Sequence, residues 1–201
     1  MLKKPKSRSL GQIRIIGGQW RGRKLPVPDS AGLRPTTDRV RETLFNWLAG
    51  ELVNARCLDC FAGSGILGLE ALSRYADKAV LIEFDRQVAR QLEKNLAVLN
   101  AAGAEVIHAD TLVWLDKAGS PFDVVFVDPP FRKGMLQQTL HLLEQNGWLA
   151  DSASIYVEAE QENQNFSVPQ NWHLYREKSA GQVCYRLYHR SCVSEGEMYV
   201  D

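Results

Sequence analysis

The sequence predicts an α/β fold: a doubly wound, mostly parallel sheet ending in an antiparallel C-terminal hairpin, preceded by a small N-terminal β-hairpin and helix. Three observations carry this. Between residues 56 and 158, short runs rich in Val, Leu and Ile alternate with amphipathic stretches of helical spacing, the pattern of β-α units around a parallel sheet. A glycine-rich loop, Gly63-Ser-Gly65, follows the first of those runs and leads into a helix. Two strand-like runs, 172–177 and 182–189, close the chain with only Lys178-Ser-Ala-Gly181 between them, which breaks the alternation and reads as a hairpin.

The first ten residues are too polar and basic to bury anything, and disorder without a partner is expected there. Gln12 to Ile16 and Gln19 to Leu25 read as two strands joined by a Gly17-Gly18 turn, with Pro26 and Pro28 ending the second. Thr37 or Asp38 can cap a helix that runs to about Ala49, with Val40, Leu44, Phe45, Trp47 and Leu48 on its apolar side. Strands are then expected near 56–60, 79–83, 104–108, 123–127 and 153–158, with helices near 66–75, 86–101, 111–117 and 134–146. The organisation is therefore an arm, hairpin and helix over 1–50, an α/β domain over 51–191, and a polar tail over 192–201.

At 201 residues and 45% hydrophobic composition the chain can fill one full-sized α/β core, with no room for a second large domain. No apolar run approaches the roughly 20 residues needed to span a bilayer, and no apolar segment follows the basic N-terminus. A cytoplasmic location is the expectation. Cys57 and Cys60 form a C-x-x-C, but residues three apart on a strand point to opposite faces. No second pair completes a zinc site, so both read as small buried hydrophobes and no metal is expected.

The overall charge is zero, yet residues 1–41 hold eleven Lys/Arg against two Asp, a net of +9, which leaves −9 on the rest. A basic arm on an acidic body is the footprint of a phosphate-backbone binder. Its candidates for phosphate contacts are Arg14, Arg21, Arg23, Lys24, Arg34, Arg39 and Arg41. Deleting residues 1–25 is expected to abolish RNA-directed activity and to spare ligand binding by the α/β domain.

Asp59-Cys-Phe61-Ala-Gly63-Ser-Gly65-Ile-Leu-Gly68 lies where a doubly wound sheet binds ligands, at the carboxyl end of its first strand. Gly63 to Gly68 also satisfies the dinucleotide fingerprint G-x-G-x-x-G, with Glu83 at the distance of a ribose-binding acid. Asp59 separates the two readings. A carboxylate beside the loop opposes a pyrophosphate but suits S-adenosylmethionine, which carries a sulfonium and an amino group. D-x-F-x-G-x-G resembles the first motif of methyltransferases, and the two closing strands resemble the end of the class I, Rossmann-like methyltransferase sheet. Glu83, preferred over Asp85 for its place nearer the strand end, would then take the ribose hydroxyls. The resemblance assigns Asp110 to the adenine amino group. The cofactor set is completed by Asp59, Phe61, Gly63, Gly65, Thr111 and Asp128, while His108 reads as a core histidine.

Asp128-Pro129-Pro130-Phe131 ends the buried-type strand Phe122 to Val127. A proline-terminated turn alone explains neither the acid before it nor the aromatic after it. An exocyclic base amine is a poor nucleophile because its lone pair is delocalised into the ring. The Asp128 carboxylate and the Pro129 carbonyl, each accepting one N–H, would push the nitrogen toward tetrahedral geometry and aim its lone pair at the methyl donor. Pro130 stiffens the turn and Phe131 would stack on the base. A carboxylate can also accept the adjacent N1–H and N2–H of guanine together, whereas an amide suits adenine better.

Several runs outside these motifs sharpen the reading: Arg14-Ile-Ile-Gly-Gly-Gln-Trp-Arg-Gly-Arg-Lys-Leu25, Arg34-Pro-Thr-Thr-Asp-Arg-Val-Arg-Glu-Thr-Leu-Phe-Asn-Trp-Leu48, Asn146-Gly-Trp-Leu149 and Gly181-Gln-Val-Cys-Tyr-Arg186. With the two catalytic-domain motifs, they resemble the RsmD family of bacterial 16S ribosomal RNA guanine-N2 methyltransferases over nearly the whole chain. The resemblance implies S-adenosylmethionine as cofactor and methylation of guanine 966, in the family's rRNA numbering, within the 30S subunit or its assembly intermediate. It also implies a role in rRNA processing and ribosome biogenesis, a basic hairpin on rRNA, and the 37–45 helix lying across the cofactor. Nothing in the sequence demands more than a monomer.

Overall fold

The computed structural model describes residues 11–28, 37–131, 133–162 and 166–191. Arg34, Cys192, the first ten residues and the polar tail fall outside these. A two-stranded antiparallel ribbon comes first, β1 (Gly11–Arg14) and β2 (Lys24–Val27), followed by helix α1 (Asp38–Trp47). The alternating region follows as β3 (Arg56–Asp59), α2 (Ile66–Ser73), β4 (Lys78–Glu83), α3 (Arg86–Leu99), β5 (Ala104–His108), α4 (Thr111–Leu115), β6 (Phe122–Val127), α5 (Leu136–Gln145) and β7 (Leu149–Glu160). The terminal hairpin is β8 (Trp172–Ala180) and β9 (Val183–Arg190).

Seven strands form one sheet in the order β5-β4-β3-β6-β7-β9-β8. Strands β3 to β7 run parallel and β9 is antiparallel to both neighbours, so the expected class I methyltransferase architecture is the observed one. Alternation along the strands sorts side chains to two faces. Cys57, Leu81, Val124, Phe126 and Tyr156 face the side covered by the ribbon, α1, α2 and α3. Leu58, Cys60, Val80, Val125 and Val127 face α4 and α5. Cys57 and Cys60 thus lie fully buried on opposite faces as free thiols, as the strand period requires.

The N-terminal ribbon departs from expectation. Its second strand begins at Lys24 rather than Gln19, and β1 pairs with it in the register Gly11↔Val27 to Arg14↔Lys24, so Gly17-Gly18 is not the hairpin turn. Those glycines instead permit close approach to the end of α2. A Cβ on Gly18, at φ +72°, would stand 1.8 Å from the Ser73 carbonyl oxygen, while the Gln19 N–H donates to that oxygen at 2.7 Å. The ribbon is also part of the main core, since Ile13, Ile15, Leu25 and Val27 join the cluster that contains Leu44, Leu81 and Phe126. Each such side chain is worth about 1.5–3 kcal/mol when buried.

At the other end β8 continues through Ala180, which moves the turn to Gly181-Gln182, with Gly181 at φ +61°. Thr37 does cap α1, its hydroxyl accepting from the Val40 N–H.

Candidate active site

Strand order locates the site. β3 pairs with β4 on one side and β6 on the other, so the chain reverses direction of winding at β3, and a crevice opens at the carboxyl ends of β3 and β6. Asp59 lies at the end of β3, Glu83 at the end of β4, and Asp128 directly after β6.

Asp59 is 2% exposed and does not face the crevice with a free carboxylate. Its Oδ2 accepts from the Gly68 N–H at 3.3 Å, and the Phe61 N–H also donates to it. Burial pushes this carboxyl up from 3.8 to about 7 despite those bonds, with the nearby Glu83 charge adding to the rise. Asp59 therefore pins the glycine loop to the start of α2. Within the loop Gly65 adopts φ +77°, and a Cβ there would lie 2.4 Å from Leu92 Cδ2. That leaves Gly63 and Gly65 as bare backbone at the head of a helix.

Glu83, at the end of β4, reaches back to the glycine loop. Its two oxygens accept from Gly63 N–H at 2.8 Å and Asp85 N–H at 2.6 Å, and burial raises its pKa. The Phe84 N–H donates to this carboxylate as well, so only part of its acceptor capacity remains for a ligand. Asp85 caps α3 through Oδ1, accepting from Gln87 and Val88, while Glu83 stands at the strand end itself with its carboxylate on the glycine loop. Asp110 likewise caps α4 through one oxygen, Oδ1, and Thr111 donates to the Cys60 carbonyl at 2.6 Å. These bonds tie the ends of β3 and β5 together. His108, expected in the core, is exposed, with Nε2 3.1 Å from the Phe84 carbonyl oxygen. Sequence reasoning missed Phe84. This aromatic directly after the strand-end acid is 73% exposed among the described residues.

On the β6 side, Pro129 is buried, Asp128 is half-buried and Phe131 is 37% exposed. Pro129, Pro130 and Phe131 line a cleft together with Met135, Leu136 and Glu158.

The basic candidates divide. Arg21, Arg23, Lys24 and Arg39 are exposed, and Arg14, also exposed, pairs with Asp38 at 2.9 Å. Arg41 must be withdrawn as a phosphate contact. It is 3% exposed, and its guanidinium is spent on Glu70 Oε1, the Arg14 carbonyl and Asp38. A helix-face arginine looks the same in sequence whether it points to solvent or into the core.

Comparison with known proteins agrees with this geometry. The family model described as conserved hypothetical protein 95 matches residues 13–189. Ribosomal RNA small subunit methyltransferase D of Escherichia coli is 65% identical over 196 residues, covering 98% of this chain and 99% of that protein. The solved structure of the Escherichia coli methyltransferase yhhF superposes with a TM-score of 0.86 at 66% identity, over 90% of this chain and 99% of that one. At 16% identity, an RNA methyltransferase from Salinibacter ruber, solved with S-adenosyl-L-homocysteine, shares the fold with a TM-score of 0.60 over 84% of this chain and 99% of that one. With a glycine loop, strand-end acids and Asp128-Pro129-Pro130-Phe131 gathered at one crevice, this chain belongs to the ribosomal RNA small subunit methyltransferase D family of S-adenosylmethionine-dependent enzymes.

Proposed function

We propose that this enzyme methylates the exocyclic N2 amine of a guanine in 16S ribosomal RNA, acting on the 30S subunit or its assembly intermediate as a cytoplasmic monomer. The observation that carries the reading is the position of Asp128-Pro129-Pro130-Phe131, one strand over from the glycine loop, in a chain 65% identical to a small-subunit rRNA methyltransferase.

The residues around the loop fit S-adenosylmethionine. Gly63 and Gly65 admit the methionine portion, Glu83 accepts from the ribose hydroxyls, Asp110 faces the adenine amine with its second oxygen, and Phe84 offers the ring a flat apolar surface. The bound cofactor supplies an electrophilic methyl on its sulfonium. Asp128 and the Pro129 carbonyl hold the two amine N–H groups of the base, so the nitrogen lone pair is directed at that methyl. The amine proton is lost only as the new bond forms, so no strong general base is needed. Phe131 stacks on the base, worth about 1–3 kcal/mol, and an unpaired loop nucleotide lowers the cost of extrusion.

Tritiated methyl transfer to unmethylated 30S particles, followed by mass mapping of the product, tests the reading. The expected product is N2-methylguanine. Asp128→Ala should slow single-turnover transfer by about 10²-fold or more. A methyl on adenine, or undiminished transfer by the variant, would overturn it.

A further inference from the structure

Helix α3 carries charges that neither the fold nor the catalytic geometry uses. Its buried face is Val88, Ala89, Leu92, Asn95, Leu96 and Leu99, and Arg86, Arg90 and Lys94 stand on the exposed face opposite. They are four residues apart, so they form one ridge along the helix, about 6 Å from each to the next. Among the described residues none of the three takes part in an ion pair. Even Glu93, the one acid of α3 and three residues from Arg90, does not pair with it.

Local physics disfavours this row. Like charges at i and i+4 repel across a helical turn, and Arg86, at the first position of α3, meets the positive end of the helix macrodipole. The row lies within residues 42–201, whose net charge is −9, so it is a local exception in an acidic stretch. Cations that break local preference and have no internal partner fit a surface that meets a polyanion.

The row also joins the two places where RNA is expected. Its first member comes two residues after Phe84, beside the Glu83 carboxylate that holds the glycine loop. Its far end meets the ribbon. Val98, the next residue of the ridge, has its carbonyl bonded by Arg23 Nη2 at 3.3 Å, and Asn95 Nδ2 donates to the Pro26 carbonyl at 3.0 Å. Arg23 thus adds a fourth cation to the line, with the exposed Lys24 next in sequence. From Arg86 to Val98 the line is about 18 Å long.

We infer that the outer face of α3 is a phosphate track: Arg86, Arg90, Lys94 and Arg23 hold the backbone of the rRNA strand that leads away from the target nucleotide, and so tie the crevice to the basic ribbon. This rests on the rRNA reading and deepens it, extending the RNA surface beyond the first 41 residues. Phosphate contacts carry no base information. The track sets register and orientation, while choice of base stays with the crevice.

The test uses the full-length enzyme and unmethylated 30S particles, with affinity measured between about 50 and 200 mM salt. The triple variant Arg86→Gln, Arg90→Gln, Lys94→Gln keeps residues of similar helix propensity. Its slope of log affinity against log salt should be shallower by about 2–2.7, at roughly 0.7–0.9 per lost phosphate contact, with the thermal midpoint and the affinity for S-adenosylhomocysteine at wild-type values. Neutralising Lys117 and Lys178, exposed cations after α4 and on β8, should leave the slope unchanged. A triple variant with the wild-type slope, or an equal fall per charge in the control, would overturn the track. Affinity lost at an unchanged slope would point to an acidic protein face and overturn it too. Independently of any variant, Lys94 of the wild type should be shielded from acetylation in the 30S complex while Lys117 and Lys178 stay reactive. An unshielded Lys94 overturns the track even where the variants do not fold. A wild type that neither binds nor methylates 30S particles overturns the parent reading, whereas normal methylation with a slope indifferent to the triple variant overturns only the track.

Discussion

At the scale of single residues, acids that look alike in sequence do different work. Asp59 and Glu83 both stand at strand ends, but Asp59 is closed off by Gly68 and Phe61 while Glu83 bridges from β4 to the glycine loop. Both carboxyls are raised, mainly by burial, so the folded state holds their protons more tightly than the unfolded chain does. For Asp59 the stability from this source is complete below about pH 4 and is lost as pH rises through about 7. For Asp59 the rise from 3.8 to about 7 corresponds to about 4 kcal/mol between those limits. Urea denaturation at pH 5 and pH 8 should therefore show a smaller loss of stability for Asp59→Asn than for the wild type, and parallel losses would contradict the assignment. The motif was legible because its glycines and acid are contiguous. That Asp59 accepts from Gly68 and Phe61 within the loop was not, because a residue's hydrogen-bond partner depends on where Gly68 turns.

At the scale of elements, one buried carboxylate fastens three segments. Glu70 of α2, with no exposure, accepts from the Ile16 N–H of the ribbon at 2.6 Å, from Arg41 of α1 at 2.8 Å, and from Arg74. Ser73 adds to the joint by donating to the Gly17 carbonyl at 2.6 Å and accepting from the Trp20 N–H at 3.0 Å. Removing one partner of a buried ion pair strands the other, at a cost of about 3–5 kcal/mol. Glu70→Gln should accordingly lower the thermal midpoint by roughly 10 °C for a chain of this size; a fall of a degree or two would show that the joint is not under load. Helix α1 and its Thr37 cap were readable from apolar spacing and a cap residue. The Gly17-Gly18 turn was misjudged because a glycine pair signals positive φ or close approach, and local sequence does not say which.

At the scale of the whole molecule, positive charge is concentrated in the first 41 residues, against an acidic remainder. Arg21, Arg23 and Lys24 are exposed there. Neutralising each one that meets a phosphate should reduce the slope of log affinity against log salt by roughly 0.7–0.9, measured on 30S particles. An unchanged slope would mark that side chain as an ordinary solvated charge. The deletion of residues 1–25 expected to separate RNA binding from cofactor binding will not do so. Ile13, Ile15 and Leu25 are 7%, 0% and 1% exposed within the main core, so the truncated protein should lose its fold. The ribbon's charges have to be tested by substitution.

Periodicity, caps and contiguous motifs were enough to establish the α/β alternation, the antiparallel closing hairpin, the glycine loop and the Asp128 run, since each is written within a few neighbouring residues. Contacts between distant segments were beyond their reach. Arg41 is 29 residues from Glu70, and Glu158 meets the catalytic run only because β6 and β7 lie in register. Burial and pairing across such separations follow from how the sheet and helices pack. Packing therefore buried Arg41 against Glu70 and brought Glu158 into the cleft lined by Pro129, Pro130 and Phe131.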